Sequence, residues 1–348
     1  MSVKKKIALI TGITGQDGAY LASFLLKKNY IVHGIKRRAS TVNNYRIDDL
    51  YNEFYLNTKK PSFFLHYGDV TDSLNLNSLI NKIKPNEVYN LAAQSHVKVS
   101  FETPEYTANS DGLGVLRLLE IIKSQKNTIK FYQASTSEMF GGSPPPQNEK
   151  TPFYPKSPYG AAKLFGYWIT RIYRESYNIH ASNGILFNHE SPLRGETFVT
   201  KKIAMHVAKT LNNKRSVLKL GNLNSIRDWG HAADYVQSMW KILQMPKGDD
   251  YVISTGVGYT VKKFVEECFQ IINVKVKWKG KGLNEKGYDS KSKKILVEID
   301  AKYFRPNEVD NLRGDSSKAK KIIGWKPKIS FKNLVKGMMK YEIEKIKN

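Results

Sequence analysis

The sequence predicts an α/β fold in which helices cover both faces of a parallel, doubly wound β-sheet. Three observations carry this prediction. Short apolar runs alternate with helical patterns, the alternation persists to about residue 190, and a glycine-rich turn directly follows the first apolar run. Short β-rich runs separated by whole helices are typical of parallel sheets, because parallel neighbours can be joined only by a long crossover connection.

The elements of this alternation follow one another without a break in the first half of the chain. Strands are predicted at KIALITG, YIVHGIKR, SFFLHYGD, EVYNLAA, IKFYQAS and HASNGILFN. Helices are predicted at GAYLASFLLKKN, SLNLNSLINKI, GLGVLRLLEIIKSQ and SPYGAAKLFGYWITRIYRESYN, where apolar residues recur with helical spacing.

The regularity weakens after about residue 190, which predicts a smaller α/β domain covering the carboxyl edge of the sheet, where open α/β sheets bind ligands. We place the first domain at residues 1–187 together with roughly 225–255, and the substrate-binding domain at 188–224 and 256–348. GGSPPPQNEKTPFYPKSP and residues 279–294 are predicted to be loops, and SFKNLVKGMMKYEIEKI an amphipathic helix.

Composition narrows the functional class. The chain has 348 residues and a net charge of +25, but its lysines are scattered rather than gathered on one arm or helix. No zinc-finger spacing, RNA-binding aromatic motif or helix-turn-helix is recognisable, so we expect no nucleic-acid partner. A lone cysteine, Cys268, excludes a disulfide framework and is expected to lie in the core. With no leader and no membrane-length apolar run, we expect a cytoplasmic protein without a membrane partner.

The glycine-rich turn predicts a dinucleotide site. Gly12, Gly15 and Gly18 stand between the first strand and the first helix in ALITGITGQDGAYLASFLL. Glycines there permit a tight turn and close backbone approach, while the helix N-terminus faces a pyrophosphate. The GxxGxxG spacing is typical of folds like those of the short-chain dehydrogenases, and predicts a Rossmann-like first domain.

The end of the second strand favours NADP over NAD. An NAD-binding protein usually has an acidic residue there, whereas HGIKRRAS offers Arg37 and Arg38. A guanidinium binds a 2′-phosphate through paired hydrogen bonds, and a carboxylate would repel it. Asp69, which ends the third strand, is expected at the adenine end of the cofactor, and Asn90 to Ala93 near the pyrophosphate and nicotinamide ribose.

The predicted catalytic groups lie on the next strand end and helix. Tyr159 and Lys163 are four residues apart in SPYGAAK and so share one face of a helix. A nearby ammonium is expected to lower the pKa of the Tyr159 phenol, and Lys163 can also hold the nicotinamide ribose. Thr136 would orient a substrate hydroxyl while Tyr159 takes its proton and NADP takes the hydride.

Glu138 in FYQASTSEMFGG has no role in such an oxidation. A carboxylate becomes useful when a sugar oxidised at C4 must also lose its acidified C5 proton, expel the C6 hydroxyl as water and take the hydride back at C6. The alternative is a carboxylate that caps a helix or faces solvent. No metal site is predicted, because NHESP lacks the second histidine of a zinc motif and the other histidines are isolated.

Taken together, these segments resemble the GDP-mannose 4,6-dehydratase family of extended short-chain dehydrogenases/reductases. The similarity runs through TGITGQDGAYLA, HGIKRRAS, LHYGDVTD, YNLAAQSHVKVSFE, FYQASTSE, TPFYPKSPYGAAK, NGILFNHESP, RGETFVTKKI, GNLNSIRDWGHAADYV and KYFRPNEVD. The resemblance implies Thr136, Tyr159 and Lys163 as a catalytic triad, with Glu138 as the C5 base. It further implies a homotetramer or dimer, in which RRASTVNNYR meets a neighbouring subunit near its NADP.

With the resemblance included, the predicted ligand contacts form two sets. The cofactor set comprises Gly12, Thr14, Gly15, Gln16, Asp17, Gly18, Arg37, Arg38, Asp69, Val70, Leu91, Ala93, Ser95, Tyr106, Tyr159, Lys163, His189 and Arg194. The set expected around a GDP-sugar substrate comprises Ser95, Glu138, Asn188, Val199, Lys202, Gly221, Arg227, Arg305 and Glu308. Within it, the two arginines are expected on the diphosphate.

The chain departs from the family pattern at five positions. It has Ala92, Asn109, Ser110, Phe140 and Leu193 where the family usually has Gly, Asp, Val, Tyr and Arg. No catalytic group is lost, but several of these positions are expected near the sugar or a subunit contact. The substrate is therefore left between GDP-mannose and GDP-D-glycero-manno-heptose, and a nucleotide-sugar epimerase or reductase remains the alternative reaction.

Overall fold

The computed structural model describes residues 5–40, 43–212 and 216–347. Thr41 and Val42, in the segment expected to meet a neighbouring subunit, lie outside the described residues. The strands are β1 (Ile7–Thr11), β2 (Ile31–Lys36), β3 (Phe63–Tyr67), β4 (Glu87–Asn90), β5 (Lys130–Thr136), β6 (Ala181–Leu186), β7 (His189–Glu190), β8 (Leu218–Leu220), β9 (Ile226–Asp228), β10 (Gly230–His231), β11 (Asp250–Ile253), β12 (Gly258–Thr260), β13 (Val276–Lys279), β14 (Lys286–Asp289), β15 (Ile295–Ile299) and β16 (Asn311–Leu312).

The central sheet confirms the predicted fold class. Seven strands of the described chain pair in the order β3-β2-β1-β4-β5-β6-β11, and every pair is parallel. The chain reverses direction across the sheet between β1 and β4, which creates the crevice where such sheets bind ligands. Six of the seven strands were predicted from the sequence, and β11 was not.

Helices cover both faces of this sheet, and three further helices belong to the C-terminal part of the chain. They are α1 (Gln16–Lys27), α2 (Asp48–Tyr51), α3 (Ser73–Ile83), α4 (Val97–Glu102), α5 (Pro104–Ala108), α6 (Gly114–Lys123), α7 (Pro158–Tyr177), α8 (Val199–Lys209), α9 (Ala232–Gln244), α10 (Val261–Ile271), α11 (Ser317–Ile323) and α12 (Phe331–Lys347). One core forms where α1, α9 and α11 pack on the sheet, and a second where α3, α6 and α7 pack on the opposite face. Apolar residues at helical spacing on each helix supply these contacts.

A third core lies in the C-terminal part of the chain. Here α8, α10 and α12 pack against β8 and β15, with Trp229 and Cys268 both buried. The smaller sheets in this region are mixed, in the orders β12-β9-β16 and β13-β14-β15-β8. Cys268 is therefore a core residue, as predicted, and burial raises the pKa of its thiol.

The prediction of an unbroken loop over residues 279–294 was wrong. Lys286–Asp289 forms β14 and pairs with strands on both sides. The polar, lysine-rich composition of the segment hid this strand, in which Lys286 pairs with Glu298 on β15 and Gly287 lets the Trp278 ring pack against the backbone. The proline-rich segment is a loop as predicted, and it ends where α7 begins at Pro158. Among the helices of the described ranges, none is long and apolar enough to span a bilayer.

Candidate active site

A cavity of about 630 Å³ opens at the carboxyl edge of the central sheet. Its wall includes Leu91 just after β4, Thr136 at the end of β5 and Phe187 just after β6. Segments from the C-terminal region close the opposite side, including Gly221, Arg227 and the 303–308 stretch. The cavity therefore lies between the parallel sheet and the smaller mixed sheets.

The structure brings most of the predicted catalytic and substrate residues together around this cavity. The predicted residues that line it are Asp17, Leu91, Ala93, Ser95, Thr136, Glu138, Tyr159, Lys163, Asn188, His189, Arg194, Val199, Lys202, Gly221, Arg227, Arg305 and Glu308. The predicted cofactor residues outside its lining are Gly12, Thr14, Gly15, Gln16, Gly18, Arg37, Arg38, Asp69, Val70 and Tyr106. These ten belong to the β1–α1 turn, to the ends of β2 and β3, and to α5.

The β1–α1 turn needs its glycines. Gly12 has a φ of +70°, and a Cβ there would lie 2.9 Å from the backbone nitrogen of Ala92. A Cβ at Gly18 would lie 2.5 Å from the Gly12 carbonyl oxygen. Neither position accepts a side chain, so the backbone of the turn stays close to the segment after β4. The open helix N-terminus behind it suits the pyrophosphate of a dinucleotide.

At the end of β2, Arg37 and Arg38 are exposed. The guanidinium of Arg37 donates to the hydroxyl of Tyr106, and that of Arg38 lies 5.8 Å from the ring centroid of Tyr67. Asp69 is less available than expected, because one of its carboxylate oxygens accepts hydrogen bonds from both the backbone nitrogen and the hydroxyl of Thr71. Arg37 and Arg38 therefore provide accessible positive charges at the end of β2.

The catalytic pair is placed by the start of α7. Ser157 caps this helix by accepting from the backbone nitrogen of Gly160, with Pro158 in the first turn. Tyr159 and Lys163 follow one turn apart and are both buried. The Lys163 ammonium donates to the carbonyl oxygen of Ala134 over 3.0 Å, which fixes its direction toward the end of β5.

Burial dominates the electrostatics of this pair. It raises the pKa of the Tyr159 phenol, the negative charge of Asp111 adds to the rise, and a hydrogen bond with Thr136 opposes it. Burial also lowers the pKa of Lys163, with the charge of Asp111 opposing that change. The predicted lowering of the Tyr159 pKa by Lys163 is therefore wrong for the protein without ligand, because desolvation of the phenolate outweighs the attraction of the ammonium.

Glu138 lies in a single 3₁₀ turn, Ser137–Met139, directly after β5. The Thr136 hydroxyl accepts a hydrogen bond from its backbone nitrogen over 3.2 Å. Its side chain lines the cavity, is only 7% exposed, and has Arg305 as an ionic partner at 3.5 Å. This placement rules out a solvent-facing carboxylate and leaves Glu138 within the same wall as Thr136 and Tyr159.

His189 and Asp17 form an ion pair beside the glycine turn. The Nε2 atom of His189 is 2.7 Å from the Asp17 carboxylate, and its Nδ1 atom is 2.8 Å from the Phe187 carbonyl oxygen. Burial works against the charged imidazole, but Asp17 outweighs it and raises the His189 pKa. Burial likewise opposes the Asp17 carboxylate, yet His189 brings its pKa below the usual value.

The residues expected around the substrate include hydrogen-bond donors and a polar atom without a partner. Arg227 is buried and donates to the carbonyl oxygen of Ile226. Burial lowers its pKa, and the charge of Glu138 opposes that effect. The Oδ1 atom of Asn188 is buried without a hydrogen-bond partner in the described structure. The guanidinium groups of Arg227 and Arg305 therefore line the same cavity as the Asn188 amide, whose oxygen has no hydrogen-bond partner in the described structure.

Sequence reasoning missed several residues of the site. Tyr303 lines the cavity, and the Lys202 ammonium lies 3.5 Å from its ring centroid. Its position two residues before Arg305 in KYFRPNE was the available signal. Arg46 was also missed. It donates to the carbonyl oxygens of Leu193 and Thr14, which ties the glycine turn to the loop after β7.

None of the five positions that depart from the family pattern lines the cavity. Phe140 is buried against Phe153 and Phe187, and Leu193 packs against the central core. Asn109 is held by Arg117 through two hydrogen bonds. The expectation that several of them lie near the sugar is therefore not supported by this cavity.

Comparison with known proteins decides the family. A family model described as GDP-mannose 4,6 dehydratase matches residues 9–338. The chain belongs to the GDP-mannose 4,6-dehydratase family. It is 54% identical over 342 residues to the GDP-mannose 4,6-dehydratase of Sinorhizobium fredii, with 97% of each chain covered. It is 52% identical over 347 residues to the human GDP-mannose 4,6 dehydratase, covering 99% of this chain and 93% of the human protein.

Solved structures show the same fold at low identity. The UDP-glucose 4-epimerase of Thermotoga maritima with UDP-glucose has a TM-score of 0.80 at 20% identity, covering 98% of this chain and 99% of that chain. RMD from Pseudomonas aeruginosa complexed with NADPH has a TM-score of 0.73 at 18% identity, covering 98% and 100%. As a member of the GDP-mannose 4,6-dehydratase family, the protein is an enzyme of the hydro-lyase class.

Proposed function

We propose that the protein catalyses the NADP-dependent 4,6-dehydration of GDP-mannose to GDP-4-keto-6-deoxymannose. The observation that carries this proposal is the position of Glu138, a buried carboxylate in the same cavity wall as Thr136, Tyr159 and Lys163. The latter three groups suffice for oxidation and reduction at a carbinol. The added carboxylate supplies the base that elimination of water requires.

The cofactor proposed for this site is NADP. The glycine turn would accept its pyrophosphate, since the missing side chains at Gly12 and Gly18 let the turn pack tightly on its own backbone and on the segment after β4, with the N-terminus of α1 directed at the ligand. Arg37 and Arg38 would hold the 2′-phosphate, and Lys163 the nicotinamide ribose. NADP, when bound, accepts the hydride from C4 of the sugar and later returns it to C6.

In the first chemical step, Tyr159 takes the proton of the C4 hydroxyl while Thr136 orients that hydroxyl. Burial raises the pKa of the Tyr159 phenol, so its ionisation depends on positive charge nearby. Arg194 already lowers the pKa of Tyr159 in part. The C4 ketone that results makes the C5 hydrogen acidic.

In the second step, Glu138 takes the C5 proton and transfers it to the departing C6 hydroxyl, which leaves as water. When C6 has received its hydride, Tyr159 gives up the proton that it took from the C4 hydroxyl, and C5 gains one proton. The protein ends in its starting state, and the sugar has lost one water with no net oxidation. General acid–base catalysis of this kind requires the carboxylate to lie within hydrogen-bond reach of C5.

The substrate's diphosphate is proposed to lie on the wall opposite the sheet. Arg227 and Arg305 supply fixed guanidinium donors there, and Asn188 offers an acceptor for a sugar hydroxyl. Val199, Lys202 and Gly221 extend the wall away from the catalytic groups, toward the nucleoside. This arrangement supports our division of the chain, with 188–224 and 256–348 as the substrate-binding domain.

Two alternatives are kept. The same chemistry on GDP-D-glycero-manno-heptose differs only in the group at C6, but none of the family departures lines the cavity, so GDP-mannose comes first. An epimerase or reductase would use Thr136, Tyr159 and Lys163 without needing Glu138.

Incubation with GDP-mannose and NADP⁺, followed by NMR of the product, tests the proposal. A 4-keto-6-deoxy sugar is expected, whereas an epimer or net turnover of NADPH would contradict it.

Side-by-side kinetics with the two GDP-sugars tests the choice of substrate. A higher kcat/KM for GDP-mannose is expected. A higher value for the heptose derivative would reassign the substrate while leaving the reaction unchanged.

A homotetramer or dimer is proposed from an apolar stripe on α7. Phe165, Trp168 and Ile172 recur at helical spacing, and each is 43–47% exposed. Tyr106 and Leu113, from the segment that packs beside α7, are also exposed. Contiguous apolar surface of this kind is typical of a face that another copy covers. Light scattering of the wild type should give an oligomer, and Trp168→Lys should reduce its size; a monomeric wild type would contradict this.

A further inference from the structure

Asp111 is a buried carboxylate beside the catalytic helix that the proposed reaction does not use. It lies in a π-helical turn, Asn109–Leu113, between α5 and α6, and is only 1% exposed. One carboxylate oxygen accepts from the backbone nitrogen of Gln94 over 2.7 Å and from the Ser110 hydroxyl. The other oxygen is buried and has no hydrogen-bond partner among the described residues. Such a group is costly to bury unless a positive charge lies near it.

The turn packs directly on the part of α7 that carries Lys163. A Cβ at Gly166 would lie 3.2 Å from the Asp111 carbonyl oxygen, and a Cβ at Gly112 would lie 3.5 Å from the Ala162 carbonyl oxygen. These contacts come one residue before Lys163 and one helical turn after it. The missing side chains at both glycines let the backbone of this turn pack closely on α7 on either side of Lys163.

The charges around Lys163 single out this pairing. Burial lowers the pKa of Lys163. The negative charge of Asp111 makes the largest contribution that raises this pKa, followed by that of Asp17 in α1. Burial raises the pKa of Asp111, and Lys163 is the charged group that opposes this rise. Tyr159 lies on the same helix and faces Asp111, Glu138 and Arg194. Because the Lys163 ammonium is only 3% exposed, water contributes little to keeping it charged.

We propose that Asp111 is the buried counter-ion that keeps Lys163 charged, a positioning residue that acts through Lys163 and does not touch the substrate. This inference rests on the proposed function only for its effect on catalysis. The charge state of Lys163 itself can be measured without turnover. Loss of the carboxylate should leave Asp17 as the remaining negative charge that opposes burial, so that Lys163 becomes neutral at a lower pH.

The test is a pH titration of protein labelled with ¹³C at the lysine ε-carbons, followed by NMR in wild type, Asp111→Asn and Ser110→Val. The Lys163 signal is the one missing from Lys163→Met. In the wild type it should report an ammonium at neutral pH, and in Asp111→Asn its midpoint should fall by about one pH unit. Ser110→Val removes the hydrogen bond from the Ser110 hydroxyl to the Asp111 carboxylate but keeps the negative charge of Asp111. The titration midpoint of Lys163 in this variant should therefore equal that of the wild type.

An unchanged midpoint in Asp111→Asn would overturn the inference. A Lys163 that is already neutral at pH 7 in the wild type would also overturn it, whether or not the variant folds. Activity supplies a separate readout: the alkaline limb of kcat/KM should move to lower pH in Asp111→Asn, whereas a purely structural role would lower activity equally at every pH. If the wild type shows no dehydratase activity, the proposed function fails while the NMR titration still decides the role of Asp111.

Discussion

The two sides of the cavity differ in how their polar groups are satisfied. On the sheet side, the Thr11 hydroxyl donates to Asn90, whose amide donates to Gln133 over 2.8 Å. Gln133 and Lys163 then both donate to the carbonyl oxygen of Ala134. This chain of bonds crosses β1, β4 and β5 and ends at Lys163, the lysine of the proposed catalytic group. It is complete without any ligand.

The far side, defined here by the residues expected around the substrate (Asn188, Arg227 and Arg305), has looser pairings. Asn188 has a buried oxygen without a partner in the described structure, and Arg305 reaches Glu138 only at 3.5 Å. Buried polar groups normally have hydrogen-bond partners, so these atoms mark where a ligand completes the bonding. The comparison indicates that the sheet side is preorganised for chemistry, while the far side is built to be completed by the substrate. Changes to the two sides should therefore affect different kinetic parameters.

The largest effect is expected for Tyr159→Phe on the sheet side. Removing the proton acceptor should lower kcat about 10³-fold, with KM for the GDP-sugar little changed. Initial rates over a range of substrate concentrations measure both parameters. A variant whose defect appears in KM alone would break the comparison between the two sides.

Arg227→Ala on the far side should act in the opposite way. Loss of a charge-assisted pair to the diphosphate should raise KM by about tenfold to a hundredfold, with a smaller change in kcat. Arg171→Ala, which removes an exposed arginine of α7 paired with Glu175, is the matched control and should leave KM unchanged. A normal KM in Arg227→Ala would show that the diphosphate binds elsewhere.

The preference for NADP⁺ over NAD⁺ tests the role proposed for Arg37 and Arg38 at the end of β2. The double variant Arg37→Ala, Arg38→Ala should weaken NADP⁺ binding about tenfold or more and leave NAD⁺ binding nearly unchanged, because only NADP⁺ has the 2′-phosphate. Binding titrations with both cofactors give the ratio, and Lys36→Ala is the control from the same strand. Equal loss for the two cofactors would contradict the assignment.

The free energy of unfolding should fall more for a substitution on the sheet side than for one on the far side. Gln133→Leu leaves the Asn90 amide donor without its acceptor, so we expect a loss of about 1–3 kcal/mol in the free energy of unfolding. Chemical denaturation monitored by circular dichroism measures this loss. Asn188→Leu is the comparison on the far side, where the buried oxygen already lacks a partner, and it should cost less. The reverse order would contradict the difference between the two sides.

The smallest effect concerns pH and the His189–Asp17 pair. Because the folded-state pKa of His189 is raised, its charge stabilises the protein fully below the unfolded value near 6.5, and this contribution is lost as pH rises through the folded pKa. The pair should therefore be strongest in mildly acidic solution. The difference in melting temperature between wild type and His189→Gln should shrink as pH rises above 6.5. A difference independent of pH would mean that His189 is neutral when folded.

The fold was predictable because its elements are locally encoded. Six strands of the central sheet read as short apolar runs, and the glycine turn and α7 carry their own start signals. β14 was not predicted because Lys286 and Gly287 open it without an apolar alternation, and it stands in a polar, lysine-rich segment between β13 and β15. Helices α2, α4 and α5 are too short for the helical period to stand out.

The site was predictable where function imposes a local motif. Thr136, Glu138, Tyr159 and Lys163 stand in two short segments, and the cavity brings all four together. Asp111 and Arg46 were not found, because their partners are far away along the chain and only the tertiary structure places them. The direction of the Tyr159 pKa was also beyond the sequence, since it depends on the depth of burial rather than on the neighbouring lysine.

The most direct measurement of the central claim uses Glu138→Gln with GDP-mannose and bound NADP⁺. If Glu138 is the C5 base, C4 should still be oxidised, reduced cofactor should accumulate to about one equivalent per site, and the C6 hydroxyl should be retained. Glu102→Gln, which alters another carboxylate lining the same cavity, should behave like the wild type. Formation of the 4-keto-6-deoxy sugar by Glu138→Gln at the wild-type rate would contradict the claim.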